Sequence, residues 1–362
     1  MLTVWAIDRD GVPRGTLEPR EAKAVLRHNQ VSTWVFTFPL TDALVQRLGA
    51  GWSVLVTDGP VRFSGAIRGF QTDIDAAGAT LTINGKTELH RLADRLVYPN
   101  PAQAAGAQGA ARYELRGPAE TVIKTLVDRN AGPAALAPRR SPSFTVEATA
   151  GTGAQVSISE RFSNLLEVAQ TVAGKASLVF DAVREDNGQV LFRTWAARDL
   201  TRRVRIKATG SIKTEAPAGT AVIVAGQGEG EARTLLEKAP APGEWGHRVE
   251  IFKDRRDTDN ADALGQAADE ALAEVTAKNS ATFDLLERPG ATFGTDFTLG
   301  DTITLELSGT EMSEQVTSAT VAWTPHGRTV TLGVGPEAEA NTPAWSSRLS
   351  DLDTRLRRME RQ

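Results

Sequence analysis

Short apolar segments separated by turn residues dominate residues 1–97. The clearest segments lie at 31–38, 52–56, 61–70 and 79–84. Between them stand turn clusters such as Thr57-Asp58-Gly59-Pro60 and Ala76-Ala77-Gly78, whose Gly, Pro and Asp residues favour tight reversals of the backbone. Strands this short, with turns this frequent, predict a small β-barrel or sandwich over residues 1–97.

Residues 98–220 have a different pattern and predict an α+β insert domain. Pro118 opens a helical apolar pattern. Ser157-Ile158-Ser159-Glu160 resembles a capping box for a second helix. Asp186-Asn187-Gly188 stands between two apolar runs and predicts a β-hairpin. The Ala-, Gln-, Gly- and Pro-rich stretch 98–111 is either an interaction or gating loop or a plain connector.

Residues 221–335 return to β structure and predict a second β-barrel domain. Alternating segments lie near 281–286, 302–307, 314–323 and 328–334. A helical insertion at about 258–278, capped by Thr258 or Asp259, interrupts them. The expected fold class is therefore α+β and mainly β, with two small β-barrel-like domains and α/β insert domains.

The end of the chain predicts a coiled-coil helix. A linker rich in Pro, Ala and Glu, residues 336–345, precedes a heptad pattern over 346–362. Its apolar a and d positions are Leu349, Leu352, Leu356 and Met359. A stripe this narrow packs against copies of itself, so these four residues are the predicted site of self-association. The alternative is one amphipathic helix packed back on the body of the protein.

Composition excludes several kinds of chemistry. Cys is absent, which excludes disulfides, thiolate metal sites and Cys nucleophiles. The four His residues are scattered, and no hydrolase motif accompanies them. The net charge of −4 gives no reason to expect nucleic acid or a membrane surface as a partner. No apolar run is long enough to cross a membrane, and the N-terminus lacks the features of a signal peptide. We therefore expect no catalytic, cofactor-binding or metal-binding residues.

Three local motifs have simpler explanations than ligand binding. Residues 226–230, Gly-Gln-Gly-Glu-Gly, lack the Lys and Ser or Thr of a phosphate loop, so they predict a tight turn. The acids of 254–262 are out of register for a calcium loop and fit helix capping. The cation-rich stretch 193–213 is a charged strand edge, or else a surface for an acidic protein or for DNA.

Several segments, taken in order, resemble siphophage tail-hub proteins of the actinobacteriophage type. These minor tail proteins are related to the baseplate hub and to the N-terminal part of tail-associated lysins. The segments that carry the resemblance are 62–65, 80–85, 89–99, 224–234, 252–257, 299–303 and 327–335. The likeness extends over residues 1–340.

The resemblance implies a virion structural protein of the tail tip, made in the host cytoplasm. It implies a homotrimer whose two barrels per subunit give a pseudo-sixfold ring. It also implies four kinds of partner: a distal tail ring protein, a tail tube protein, a tape-measure protein, and a downstream fibre or spike protein. Larger relatives carry a lysin domain after the hub, whereas only a linker and a heptad follow Gly335 here. We therefore expect no enzymatic activity. The alternatives are a tail-associated cell-wall hydrolase or carbohydrate-active domain, and a cytosolic β-rich binding protein.

Overall fold

The computed structural model describes residues 2–76, 78–240, 245–256, 258–275, 278–307 and 309–335. They form two compact units. The first comprises Met1–Gly210 and Thr282–Val334, and the second comprises Ser211–Ala281. The predicted linker 336–345 and the predicted coiled coil 346–362 lie outside the described residues. The predicted domain limits at 97 and 220 stay predictions.

The first part of the chain is mainly β, with three helices. Its strands are β1 (Leu2–Ile7), β2 (Pro13–Leu17), β3 (Glu21–Arg27), β4 (Thr33–Pro39), β5 (Ser53–Asp58), β6 (Val61–Asp75), β7 (Gly78–Thr87), β8 (Tyr113–Pro118), β9 (Phe144–Val146), β10 (Gln155–Glu160), β11 (Leu178–Arg184), β12 (Val190–Ala196) and β13 (Arg205–Ala208). The helices are α1 (His90–Ala93), α2 (Ala119–Asn130) and α3 (Leu165–Lys175).

The second part of the chain is also mainly β and adds one described α-helix. Its elements are β14 (Gly210–Glu215), β15 (Ala221–Ala225), β16 (Leu235–Lys238), β17 (Glu250–Asp254), α4 (Ala261–Glu274), β18 (Lys278–Leu285), β19 (Thr302–Leu307), β20 (Thr310–Thr324) and β21 (Gly327–Val334). The predicted fold class, α+β and mainly β, is confirmed at this level.

Thirteen strands form one sheet, and this differs from the two separate barrels expected. The order is β14-β18-β21-β20-β3-β4-β7-β6-β5-β1-β2, with β19 and β13 alongside β20. The antiparallel pair β20–β3, from Ser318↔Arg27 to Trp323↔Ala22, joins the two regions that were predicted as separate barrels. No pairing among the described residues closes the sheet on itself. Alternation of apolar residues predicts strands and their faces, but it does not identify their partners.

The sheet contains the same five-strand arrangement twice. The first repeat has the order β3-β4-β7-β6-β5, and the second repeat has the order β14-β18-β21-β20-β19. In each, a six-residue strand pairs with the first six residues of a fifteen-residue strand. Corresponding positions lie a constant 249 residues apart (310 − 61), so Val61 corresponds to Thr310 and Asp75 to Thr324.

The irregular features of the two repeats also correspond at that separation. The β6–β7 register shifts between Ile67 and Gly69, and the β20–β21 register shifts between Val316 and Ser318. Glycines with positive φ occupy matching positions, Gly51 with Gly300 and Gly78 with Gly327. A bulge and two left-handed glycines at the same places indicate one supersecondary unit present twice in the chain.

Two helices and two small sheets build an α+β part between the repeats. α2 and α3 pack on a core formed with β11 and β12 around Phe180 and Phe192. The predicted hairpin is confirmed, since β11 pairs antiparallel with β12. The predicted capping box is wrong, because residues 157–160 belong to β10, which pairs with β8. Asn164 caps α3 instead and accepts hydrogen bonds from the backbone N–H groups of Leu166 and Glu167.

The second compact unit contains a separate three-stranded sheet with α4 on one face. Its order is β16-β15-β17, and β17 runs parallel to β15. Val222 and Val224 pack against Leu264, Ala268 and Ala271 of the helix, as the apolar spacing predicted. The cap of α4 is Asn260, not Thr258 or Asp259.

Candidate assembly surface

The four residues predicted for trimerisation, Leu349, Leu352, Leu356 and Met359, lie outside the described residues. They therefore stay a prediction. Two other surfaces of the described chain have the properties of a protein interface: the edge of β6 in the first repeat, and the edge of β14 in the second.

The open edge of β6, residues 68–75, is the side of that strand facing away from β7. β5 covers the beginning of β6, from Val61 to Ala66, and no described strand pairs with this side farther along. Phe70 is 43% exposed there and Ile74 is 80% exposed. Unpaired backbone N–H and C=O groups next to exposed apolar side chains are what an added strand requires.

The matching positions of the second repeat are covered. Ala319 and Val321, which correspond to Phe70 and Thr72, are fully buried, and Trp323, which corresponds to Ile74, is 8% exposed. β3 lies along this side of β20, and its Ala24 pairs with Val321. The corresponding edge is therefore paired in the second repeat and open in the first, and the side chains next to it are buried in the second repeat and exposed in the first.

β14 forms the second open edge, because it is a terminal strand of the sheet and β18 is its one partner among the described strands. Its side chains are exposed along nearly the whole strand, and Ile212 is 42% exposed. Lys213 and Glu215 form an exposed ion pair. Gly210 allows the close approach to β18, since a Cβ there would lie 2.2 Å from the carbonyl oxygen of Thr282.

A crevice of about 250 Å³ opens beside the first repeat in the same compact unit. Its apolar walls include Val61, Phe63, Val179 and Leu299, and Asp181 is partly buried among them. One carboxylate oxygen of Asp181 accepts a hydrogen bond from the backbone N–H of Ala182, 2.8 Å away. Burial raises the pKa of Asp181 to about 7, because the charged form loses solvation there.

Three other charged side chains of the crevice form ion pairs. Arg193 and Glu185 form an ion pair of 2.5 Å, and Arg62 lies 2.8 Å from Asp186. Nε2 of His28 is buried without a hydrogen-bond partner in the described structure, and burial lowers the pKa of this imidazole. No sequence pattern predicted this crevice, because its residues come from distant parts of the chain.

The cation-rich stretch 193–213 is largely neutralised within the protein. Its ion pairs are Arg193–Glu185, Arg198–Asp301, Arg205–Glu311, Lys207–Glu306 and Lys213–Glu215. The carboxylate of Asp301 is buried, and it also accepts a hydrogen bond from the backbone N–H of Thr298. These pairs favour the interpretation as a charged strand edge over a surface for DNA.

The acids of 254–262 have local partners. Asp254 pairs with Arg233 and Arg256, and Asn260 caps α4. Within the described parts of the chain, no three His, Asp or Glu side chains gather in a way that could hold a metal ion. The cap of α4 is thus an amide and not an acid, Asp262 lies in the first turn of the helix, and Asp254 is held by its two ion pairs.

The loop 98–111 is organised by one side chain. Gln108 donates hydrogen bonds to the carbonyl oxygens of Asn100, Gln103 and Ala104, and it accepts one from the backbone N–H of Asn100. The Tyr98 ring at the start of the loop stacks under the guanidinium of Arg139, 3.6 Å away. The interaction or gating role of the loop 98–111 stays a prediction, with a plain connector as the alternative.

Solved structures of phage tail proteins share this fold across nearly the whole chain. The prophage MuSo2 43 kDa tail protein from Shewanella oneidensis has a TM-score of 0.59 at 11% identity, covering 92% of this chain and 97% of its own. A tail protein from Neisseria meningitidis MC58 has a TM-score of 0.57 at 13% identity, covering 93% and 97%. Prophage tail protein gp18 from Listeria monocytogenes EGD-e has a TM-score of 0.52 at 13% identity, covering 98% and 99%.

These likenesses define the class, a phage tail-protein fold. The chain belongs to the Siphovirus ReqiPepy6 Gp37-like protein family, whose family model matches residues 3–336. The resemblance to siphophage tail proteins inferred from the sequence is thereby confirmed. No curated protein matches the sequence. None of the described helices is long and apolar enough to cross a membrane.

Proposed function

We propose that this protein is the structural hub of a siphophage tail tip. Three copies form a ring that closes the tail tube, and the 346–362 helices of the three copies bundle and lead to a fibre or spike. The ring would seat on a distal tail ring protein or on the tail tube protein, with the tape-measure protein above it in the lumen. The protein would be made in the host cytoplasm and would reside in the virion.

The observation that carries this proposal is the repeat of five strands within one chain. Three copies would present six similar strand units around an axis, which matches the sixfold symmetry that the resemblance implies for the tail tube. The two repeats are our candidates for the two predicted barrel-like domains. A hub of this kind acts by symmetry matching and by opening or closing a lumen, so it needs no catalytic residue.

The test is the mass of the purified chain by light scattering, together with its position in labelled particles. We expect a trimer. In the variant Leu352→Asp with Leu356→Asp, two charges enter each apolar seam, so the trimer fraction should fall. The matched control is Ser350→Asp with Thr354→Asp, which changes polar positions of the same heptads. A stable dimer, or equal trimer content in both variants, would contradict the proposal.

The crevice around Asp181 is the one feature of the described chain that suggests a second candidate function, a cell-wall hydrolase. A carboxyl with a pKa near 7 can act as a general acid. Glycoside cleavage needs a second carboxylate nearby, and Glu185 in this crevice is held by Arg193. We therefore expect no loss of turbidity when the protein is incubated with host cell walls. Turnover that disappears in Asp181→Asn would support the hydrolase instead.

A further inference from the structure

In the described part of the chain, each repeat has one strand edge that lacks the partner its counterpart has in the other repeat. Inside the chain, the long strand of the second repeat, β20, pairs with the outer strand of the first repeat, β3. The long strand of the first repeat, β6, and the outer strand of the second repeat, β14, have no such partner among the described residues. We propose that β6 of one copy pairs antiparallel with β14 of the next copy, repeating the β20–β3 junction between molecules. This inference rests on the proposed ring and names its interface.

Correspondence between the repeats identifies the part of β6 that would pair. β3 covers Ser318 to Trp323 of β20. At the constant separation of the repeats, these positions correspond to residues 69–74 of β6, which begin immediately after the bulge. This is the stretch of β6 that β5 leaves uncovered.

Exposure of apolar side chains supports the same assignment. Phe70 and Ile74 occupy the positions that Ala319 and Trp323 fill in the second repeat, and only the latter two are buried. Period-2 spacing puts Phe70, Thr72 and Ile74 on one face of the strand. A strand paired along this edge would place its own side chains beside Phe70, Thr72 and Ile74, as β3 places Ala22 and Ala24 beside Trp323 and Val321.

β14 has the properties required of the incoming strand. It occupies the place in the second repeat that β3 occupies in the first, because each is hydrogen-bonded to the strand beside the long hairpin. Ile212 offers an exposed apolar side chain to match those of β6. Lys213 on β14 is paired with Glu215 of the same strand, so the apolar contact of Ile212 is the main feature that β14 offers.

A junction of this kind closes a ring of three when three successive rotations return to the first copy. Each copy has one edge of each type, so the contact is heterologous and every copy uses both edges once. Within the ring, the internal β20–β3 junctions would alternate with the intermolecular β6–β14 junctions. A second copy of this chain is therefore the occupant we assign to both edges.

The absence of Cys from the chain makes cross-linking a direct test. Phe70→Cys combined with Ile212→Cys should give covalent dimers and trimers with a short bismaleimide, and each single variant should give at most a trace of dimer. The matched control pairs Phe70→Cys with Val12→Cys, since Val12 is 44% exposed on the loop between β1 and β2. Equal cross-linking of the control pair would overturn the assignment.

A second variant separates this interface from the proposed ring itself. Ile74→Asp should lower the trimer association constant at least tenfold, with an unchanged circular dichroism spectrum, whereas Val12→Asp should leave it unchanged. A trimer that forms normally with Ile74→Asp and gives no Phe70–Ile212 cross-link overturns this inference alone. A wild-type chain that stays monomeric at the highest attainable concentration overturns the proposed ring and this interface together.

Discussion

The two repeats have the same strand order, the same bulge and the same two left-handed glycines, but they differ in what covers the long strand. β3 lies along β20 within the chain, while the corresponding side of β6 is open. The side chains follow this difference, since Trp323 is buried and its counterpart Ile74 is exposed. Comparison of the two repeats thus shows which strand edge of the first repeat lacks, among the described residues, the partner that the second repeat has.

The flanking strands also differ. The short strand β5 of the first repeat is flanked by β1 in an antiparallel pair, and the short strand β19 of the second repeat is flanked by β13 in a parallel pair. The turn of the first repeat at Pro60 and Val61 lines the crevice that contains Asp181. The central hairpin is therefore the same in the two repeats, while its surroundings differ.

The largest expected effect is a loss of folding stability on replacing Trp323, measured against the replacement of its counterpart Ile74. Trp323→Ala removes a buried ring whose Nε1 donates a 2.7 Å hydrogen bond to Asp58, and should lower the free energy of unfolding by about 3–5 kcal/mol. Ile74→Ala changes an exposed side chain of the monomer and should stay within about 0.5 kcal/mol. Urea unfolding at a concentration where the chain is monomeric checks both. Similar losses in the two variants would mean that the repeats do not differ as described.

The next prediction tests the crevice beside the first repeat by its dependence on pH. The pKa of Asp181 is raised to about 7 in the folded state, against a usual value of 3.8. The unfolded state therefore ionises first, and the free energy of unfolding should fall between about pH 4 and pH 7. The total fall is up to about 4 kcal/mol for a shift of this size.

Asp181→Asn removes that dependence, so the variant should gain stability over the wild type as the pH rises to 8. Asp186→Asn is the control, since this carboxylate is exposed and pairs only with Arg62. Thermal unfolding of the three proteins at pH 4.5, 6 and 8 provides the measurement. Parallel pH profiles for wild type and Asp181→Asn would show that the carboxyl is not shielded from water.

The smallest expected effect is the loss of stability on adding a side chain at Gly85. The second repeat has a side chain at the corresponding position, Val334. A Cβ at Gly85 would lie 2.2 Å from the ring of Trp34 and 2.3 Å from the carbonyl oxygen of Ala66. Gly85→Ala should therefore cost about 1–3 kcal/mol through overpacking. Gly106→Ala, in open space on the loop 98–111, should be neutral within about 0.5 kcal/mol. If the two alanines are equally tolerated in urea unfolding, Trp34 does not fill the space at Gly85.

Local pattern predicted the elements well but not their partners. The hairpin at Asn187-Gly188 and helices α2 and α4 follow from turn residues and apolar spacing, and all three are present. The sequence-based strand 61–70 ends too early, because four of the five remaining residues of β6 are polar and the strand extends to Asp75. A strand edge that faces another molecule need not carry a continuous apolar signal.

The candidate surface was harder to predict because it depends on pairings between distant residues. β3 and β20 lie near opposite ends of the described chain, and no local rule connects them. The repeat is equally hard to see in the sequence, because corresponding positions carry different residues. Gly65 corresponds to Glu314, and Gly85 corresponds to Val334. Only the strand lengths, the bulge and the glycine conformations expose it. The heptad residues Leu349, Leu352, Leu356 and Met359 stay a sequence-based prediction.

The neighbouring positions of β14 and β18 have a consequence for how this chain can change in length. In the first repeat the corresponding strands, β3 and β4, are joined by a short turn at Asn29, whose side chain bonds to the backbone of β11. In the second repeat the same connection contains β15, β16, β17 and α4. This segment begins after β14 and ends before β18, which are neighbours in the sheet, so it is an insertion between two adjacent strands. It could be exchanged for another domain, or for a turn, without altering the register of the sheet.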